Sequence, residues 1–288
     1  MTHVDAEFPL AALRKRGEFV GSFRRLRLSD RAAILGLGAL ILIAIFAPLI
    51  APESATAPSG LPLDSPSASA WLGTDEVGRD ILSRLIFGLR LSLVGAVVVI
   101  TSGVVIGGLI GLVAGAVGGW VDMLLMRFTD LFLALPAPVL AIAVVAAIGP
   151  SFGHTLLAVA IVWWPWYARI VRGEITAIKA KPHVEAAKLS GVSRPRLWSR
   201  HLAPGTFPPV LVVASLDVGY VVLILAGLSF LGLGAPAPSP ELGAMAAQGL
   251  RFLLSKWWVP VFPGVAVALL AFLSNLAGDG LRDMIGDR

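Results

Sequence analysis

With 288 residues, 57% of them hydrophobic and 14% charged, and a mean hydropathy of +0.84, the chain is too apolar for a soluble domain and reads as an integral membrane protein. The lack of cysteine excludes disulfides, thiol catalysis and thiolate metal sites. A net charge of +5 would suit a nucleic-acid binder, but in a membrane chain Lys and Arg first report the side on which a loop lies, and no nucleic-acid partner is expected.

Residues 1–31 are basic, carry no recognisable motif and suit a cytoplasmic N-terminal segment. Six apolar segments follow, near 32–51, 91–117, 121–148, 155–173, 207–234 and 258–278. Each reaches the roughly twenty residues needed to cross the hydrocarbon core as a helix. The first begins too late and runs too long for a signal peptide, with no small-residue cleavage pattern after it. Residues 52–78 are rich in Pro, Ser and Ala and lack basic side chains, as expected of an extracytoplasmic loop. Beyond it, apolar residues at 81, 82, 85 and 86 among Arg79, Asp80, Ser83 and Arg84 predict an amphipathic helix in the membrane interface. The chain therefore divides into 1–31, a unit 32–90 of one span, a loop and the interfacial helix, and a core 91–288 of five spans with a polar loop at about 175–205. Of the 23 basic residues only Arg79, Arg84, Arg90, Arg251 and Lys256 fall on the face opposite that loop, which predicts a cytoplasmic loop and cytoplasmic termini.

In the second span Gly103, Gly107, Gly111, Gly115 and Gly119 recur every four residues. Such a face lets another helix backbone come close, either inside the subunit or from a partner. Asp122 and Asp130 bracket the start of the third span, with Arg127 near enough to pair with either, and read as interfacial anchors. Trp163, Trp164, Trp166 and Tyr167 gather towards the cytoplasmic end of the fourth span, and Trp257 with Trp258 at the outer start of the sixth; both sets read as aromatic belts. Asp217 lies about ten residues into the fifth span, with Tyr220 nearby. An aspartate at membrane depth costs about 2.5–3.5 kcal/mol on insertion scales, so it should face a cavity or a polar partner. A substrate pathway through Asp217 and Tyr220 and a structural pair both fit.

The polar loop is punctuated as two short helices. Pro182 suits a first turn, Gly191 a left-handed C′ position, Ser193 an N-cap and Pro195 the turn after it. Ala186 and Ala187 add no bulk, so another molecule could approach that face closely. Catalytic constellations are absent. None of the lysines ends a phosphate-binding Gly-rich loop, the four histidines lack metal-ligand spacing, and no Gly-x-Ser-x-Gly elbow occurs. The chain is expected to be a non-catalytic conduit without a cofactor of its own.

The run Glu185-Ala186-Ala187, three residues, then Gly191, and after nine more His201-Leu202-Ala203-Pro204, resembles the EAA loop of bacterial ABC importer permeases. Ala203 departs from the leucine usual there and should loosen packing slightly. Trp71 to Arg84, Leu228 to Gly234, Phe262-Pro263-Gly264, Asn275 and Gly278 to Asp283 resemble the C-type permease of dipeptide, oligopeptide and nickel importers. The resemblance implies an all-α type I permease fold with six transmembrane helices in the bacterial inner membrane. It also implies a second, B-type permease, two cytoplasmic ATPases that bind ATP and Mg, a substrate-binding protein outside, and lipid around. Glu185, Ala186, Ala187, Gly191, Arg194, His201 and Pro204 would then couple to an ATPase. The cargo implied is a di- or oligopeptide, with nickel chelates, glutathione or haem as alternatives. Two rival classes stay open: a proton-driven secondary transporter using Asp217, which would tend to show repeats and broken helices that the sequence does not clearly display, and a membrane scaffold or receptor.

Overall fold

A computed structural model describes residues 26–286, so most of the N-terminal segment expected at 1–31 lies outside the described residues. The described chain is helical, with a single isolated bridge between Thr74 and Asp80. In order come α1 (Leu28–Ile45), α2 (Ala47–Ile50), α3 (Ile81–Val117), α4 (Gly119–Leu133), α5 (Ala137–Ile148) and α6 (Phe152–Lys179). There follow α7 (Pro182–Leu189), α8 (Arg194–Leu197), a π turn (Trp198–Leu202), α9 (Ala203–Phe230), α10 (Leu242–Gly249), a 3-10 turn (Leu250–Phe252) and α11 (Trp258–Gly286).

Among the described residues four helices are long and apolar enough to cross a membrane: α1, α3, the continuous run Arg194–Phe230, and α11. A fifth span is possible if α4 and α5 are taken together, although they are bent by 81°. The expected unbroken span 121–148 is therefore corrected. Pro136 supplies no N–H and biases the residue before it away from helix, so the chain turns at 134–136 and restarts with Pro138 in the first turn. The segment expected at 155–173 is α6, which carries Arg169, Arg172, Glu174 and Lys179 in its second half and is less apolar than the other four. It is packed by α3, α4, α5 and α9 and buries Val159, Val162, Trp163, Tyr167, Val171 and Ile175, so neighbouring helices replace much of the lipid around it.

The separate interfacial helix expected at 79–88 is likewise corrected. Asp80 caps α3 by accepting from the Ser83 N–H at 2.7 Å and the Ser83 hydroxyl at 2.6 Å, and the helix then continues without a break to Val117. At 1.5 Å per residue its 37 residues span about 55 Å, well over the ~30 Å hydrocarbon core. Arg79 and Arg84 do not snorkel at the lipid surface; both are buried. Arg79 Nε donates to Asp75 Oδ2 at 2.6 Å, and Arg84 Nε lies 3.4 Å from the same oxygen. Arg84 also donates to the carbonyls of Ala55, Pro238 and Ser239, tying the 51–80 loop to the α9–α10 connection. Trp258 is buried beside Gly73 rather than standing in an outer belt, while Trp257 is exposed.

Candidate functional site

Helix α7 is an eight-residue helix with Pro182 in its first turn. Its end is a Schellman motif: the Gly191 N–H donates to the Lys188 carbonyl at 3.0 Å and the Val192 N–H to the Ala187 carbonyl at 3.1 Å. Gly191 holds φ +74, the left-handed conformation that glycine adopts without a Cβ penalty. Val184 and Ala187 turn into the protein, whereas Glu185, Ala186, Gly191 and Arg194 are exposed. The expectation that both alanines share an open face is thus corrected, since successive residues on a helix point about 100° apart. The exposed face instead includes Leu189, 85% accessible, which the sequence reading passed over although it lies four residues beyond Glu185.

The second short helix is not separate. Ser193 occupies the N-cap position of α8 without a side-chain cap, and α8 runs through the π turn into α9. Within that turn the Ala203 N–H bonds the Trp198 carbonyl. The widened turn sits just before Pro204, whose ring would otherwise crowd the carbonyl one turn back. His201 is half-buried and Pro204 exposed. Ala203, with Thr206 and Phe207 of α9 and Val104 and Leu112 of α3, lines an apolar groove of about 280 Å³.

The helices leading into this loop are fastened. Lys179, the last residue of α6, donates to the carbonyls of Gly115 at 2.8 Å and Ala116 at 3.1 Å, a cation on the exposed C-terminal carbonyls of α3. Glycines 103, 107, 111 and 115 all meet α6 within the subunit, which decides between the two packing alternatives. A Cβ at Gly107 would meet the Trp164 carbonyl oxygen, one at Gly111 the Ala168 carbonyl oxygen, and one at Gly115 would lie 2.8 Å from Ile175 Cβ. Gly119 departs from the ladder: α3 ends at Val117 with Gly118 as its C-cap, Gly119 has φ +59, and among the described residues nothing lies within 4 Å of its Cβ position. Asp122 and Asp130 do not pair with Arg127. Arg172 donates to both Asp122 oxygens, at 3.0 and 2.6 Å, and Arg169 to Asp130 at 2.6 Å, so the carboxylates brace α4 against α6.

Asp217 joins α6 to α9. The Tyr167 hydroxyl donates to its Oδ2 at 2.8 Å and the Trp163 indole N–H to the same oxygen at 3.1 Å. Both donors are buried, and each lies near the middle of α6, not at a membrane-interface belt. Trp164 packs instead on Phe128 and Phe132 of α4, at 5.9 and 5.3 Å between ring centroids. Beside the clasp is a cavity of about 350 Å³ lined by Leu133, Ala137, Trp163, Trp166, Asp217 and Tyr220, which places Asp217 and Tyr220 on one wall-forming cluster. The two sequence alternatives for Asp217 are therefore not exclusive: one oxygen serves a structural pair, and the residue also faces a cavity.

At the far end of α9, Glu241 is buried and accepts from the Ala235 N–H at 2.6 Å and from the Ser229 hydroxyl. Burial pushes its carboxyl above the usual range, against the pull of those two hydrogen bonds. The Ser229 hydroxyl also faces the Leu225 carbonyl at 2.9 Å. Its one hydrogen serves one of these two acceptors at a time.

Residues 107–288 match the family described as "Binding-protein-dependent transport system inner membrane component". The chain is 42% identical over 250 residues to the probable D,D-dipeptide transport system permease protein of Escherichia coli (strain K12), covering 85% of this chain and 83% of that one. It is 42% identical over 269 residues to the dipeptide transport system permease protein of Alkalihalophilus pseudofirmus, covering 92% and 88%. To the nickel transport system permease protein of Escherichia coli (strain K12) it is 38% identical over 265 residues, covering 89% and 93%.

Proposed function

The chain belongs to the family of binding-protein-dependent transport system inner membrane components, and on that premise we propose that it is the permease subunit of an ATP-driven importer of small peptides. It is a multi-pass protein of the bacterial inner membrane. A second permease completes the pathway, two cytoplasmic ATPases dock beneath, and an external binding protein delivers cargo. ATP and Mg sit on the ATPases. Nickel chelates, glutathione or haem carried by the same machinery are the alternative cargoes.

The observation that carries this reading is the exposed α7 with its Schellman end, set between the two helices that Asp217 clasps. Tyr167 lies twelve residues before the end of α6, and Asp217 fourteen after the start of α9. At 1.5 Å per residue the clasp is about 20 Å from the loop on either helix. A push on α7 therefore enters a braced pair rather than a lone strand of chain. Exposed Glu185, Ala186, Leu189 and Arg194 form the docking face, Gly191 sets its end, and His201 and Pro204 hinge it to α9. Alternating access then needs two global states biased by ATP and cargo.

Purification tests the reading. Co-elution of the tagged chain with two ATPases and a second permease, and ATP-dependent dipeptide uptake by vesicles containing them, are expected. A chain stable alone that takes up cargo without ATPases would sink it. The break between α4 and α5, with an aspartate in the middle of a span, is what favours the proton-coupled rival. That rival predicts uptake abolished by collapse of the proton gradient at saturating ATP.

A further inference from the structure

We infer that the cavity beside Asp217 is a recognition subsite for a protonated amine, the ammonium group of a passing ligand. That the amine belongs to cargo rests on the importer reading; the sign of the site rests on the cavity alone. Asp217 brings a carboxylate to the wall, and among the described residues no Lys, Arg or His lines the cavity to neutralise it. Both donors that reach Asp217 converge on Oδ2, and Oδ1 has no partner among the described residues. The remaining walls suit a cation as well. Trp163 and Tyr220 meet at 5.5 Å between centroids, and Trp166 and Tyr220 are half exposed, presenting π faces that attract ammonium groups.

The break between α4 and α5 adds to the same sign. Leu133 and Ala137, its two edges, both line the cavity. At the end of α4 the carbonyls of Leu131, Phe132 and Leu133 accept no backbone hydrogen bond among the described residues, which leaves acceptors at the negative end of that helix. A helix start normally offers N–H groups to an anion. Here Pro136 and Pro138 have none, and the N–H groups of Val139 and Leu140 already donate to the Pro136 carbonyl. The break thus offers acceptors and few donors. A carboxylate end of a ligand would meet the Tyr220 hydroxyl and the Trp166 indole N–H but be repelled by Asp217, whereas an ammonium is attracted both to that carboxylate and to the π faces.

The cysteine-free sequence allows a direct test on the full-length chain, purified with its partner subunits in lipid nanodiscs. Ala137→Cys places one thiol on the cavity wall, and Leu254→Cys, at a fully exposed outer position, serves as the reference. Each is modified by a trimethylammonium-bearing and by a sulfonate-bearing methanethiosulfonate, with rates normalised to those of a free thiol. The cation-to-anion ratio at 137 should exceed that at 254 by about tenfold, as expected of one nearby carboxylate. Asp217→Asn should bring it to the reference, and Asp217→Glu should keep it. Phenethylammonium should slow modification at 137, while phenethyl alcohol should not. Equal ratios at the two positions, a bias indifferent to Asp217→Asn or lost in Asp217→Glu, or equal protection by the alcohol would each overturn the inference. Should Asp217→Asn fail to fold, Asp217→Glu and the alcohol comparison still decide it. Failure of the ATPases to co-purify would sink the importer reading and leave this ratio standing.

Discussion

The Tyr167 hydroxyl donates to Asp217 Oδ2 at 2.8 Å, and through that bond the two helices that enter and leave the α7 loop are joined in mid-course. Neither partner is ordinary in its setting: the tyrosine is fully buried, and among the described residues the aspartate has no basic neighbour in its cavity. Removing the donor leaves the carboxylate with the Trp163 N–H alone on that oxygen. Tyr167→Phe should therefore cost about 1.5–3 kcal/mol of stability, the range for a hydrogen bond to a charged group. Thermal unfolding of the purified complex measures it. A double-mutant cycle with Asp217→Asn should give a coupling well above zero, because the two side chains share one bond.

Contact between α3 and α6 depends on which glycine is altered, though all lie on the same helix. Gly111→Val would drive a side chain into the Ala168 carbonyl, with backbone on both sides and no flexible group to yield. Gly108, one turn away, has nothing within 4 Å of its Cβ position. The first substitution should destabilise by at least the 1–3 kcal/mol typical of overpacking, and Gly108→Ala should be neutral or stabilise by under about 1 kcal/mol. Comparable melting shifts for the two variants would contradict the packing described.

Gly191 reports on the loop by its backbone. A β-branched residue at φ +74 costs roughly 1–2 kcal/mol, so Gly191→Val should unwind the end of α7, whereas Gly191→Asn should largely keep it. Under the importer reading, Gly191→Val keeps ATPase activity in the complex but loses most ATP-driven uptake. Intact uptake in vesicles carrying Gly191→Val would show that this end of α7 does not transmit the stroke.

Glu241 gives the α9–α10 connection a pH dependence of definite sign. Its folded pKa is raised above the ordinary 4.5, so the folded state holds the proton more tightly than the unfolded chain. Stability from this group is fully present below about pH 4.5 and is lost as pH rises through the folded value. Melting temperatures of wild type and Glu241→Gln across pH 4.5–8 should diverge in their slopes, with the variant flatter in this window. Parallel slopes would mean that Glu241 does not titrate in this window.

Composition, hydropathy and the spacing of Pro182, Gly191 and Pro204 were enough to identify a membrane-embedded helical chain with one polar loop, and the loop's helix and its glycine end are where local rules place them. These features are local: a proline removes a donor, a glycine allows a positive φ, and a run of apolar residues prefers lipid, whatever the rest of the chain does. What tertiary structure alone decided is which groups meet across long separations. Asp122 chose Arg172 fifty residues away over Arg127 five away, and Asp217 chose Tyr167 and Trp163 from what had looked like an interfacial belt. Arg84 found Asp75 and three carbonyls, which drew it out of the lipid interface. In an apolar surrounding a buried charge is costly unless paired, so its partner is fixed by the fold that brings complementary groups together, not by distance along the chain. Sequence periodicity showed which face of α3 was small; only the packed structure showed that α6 fills it.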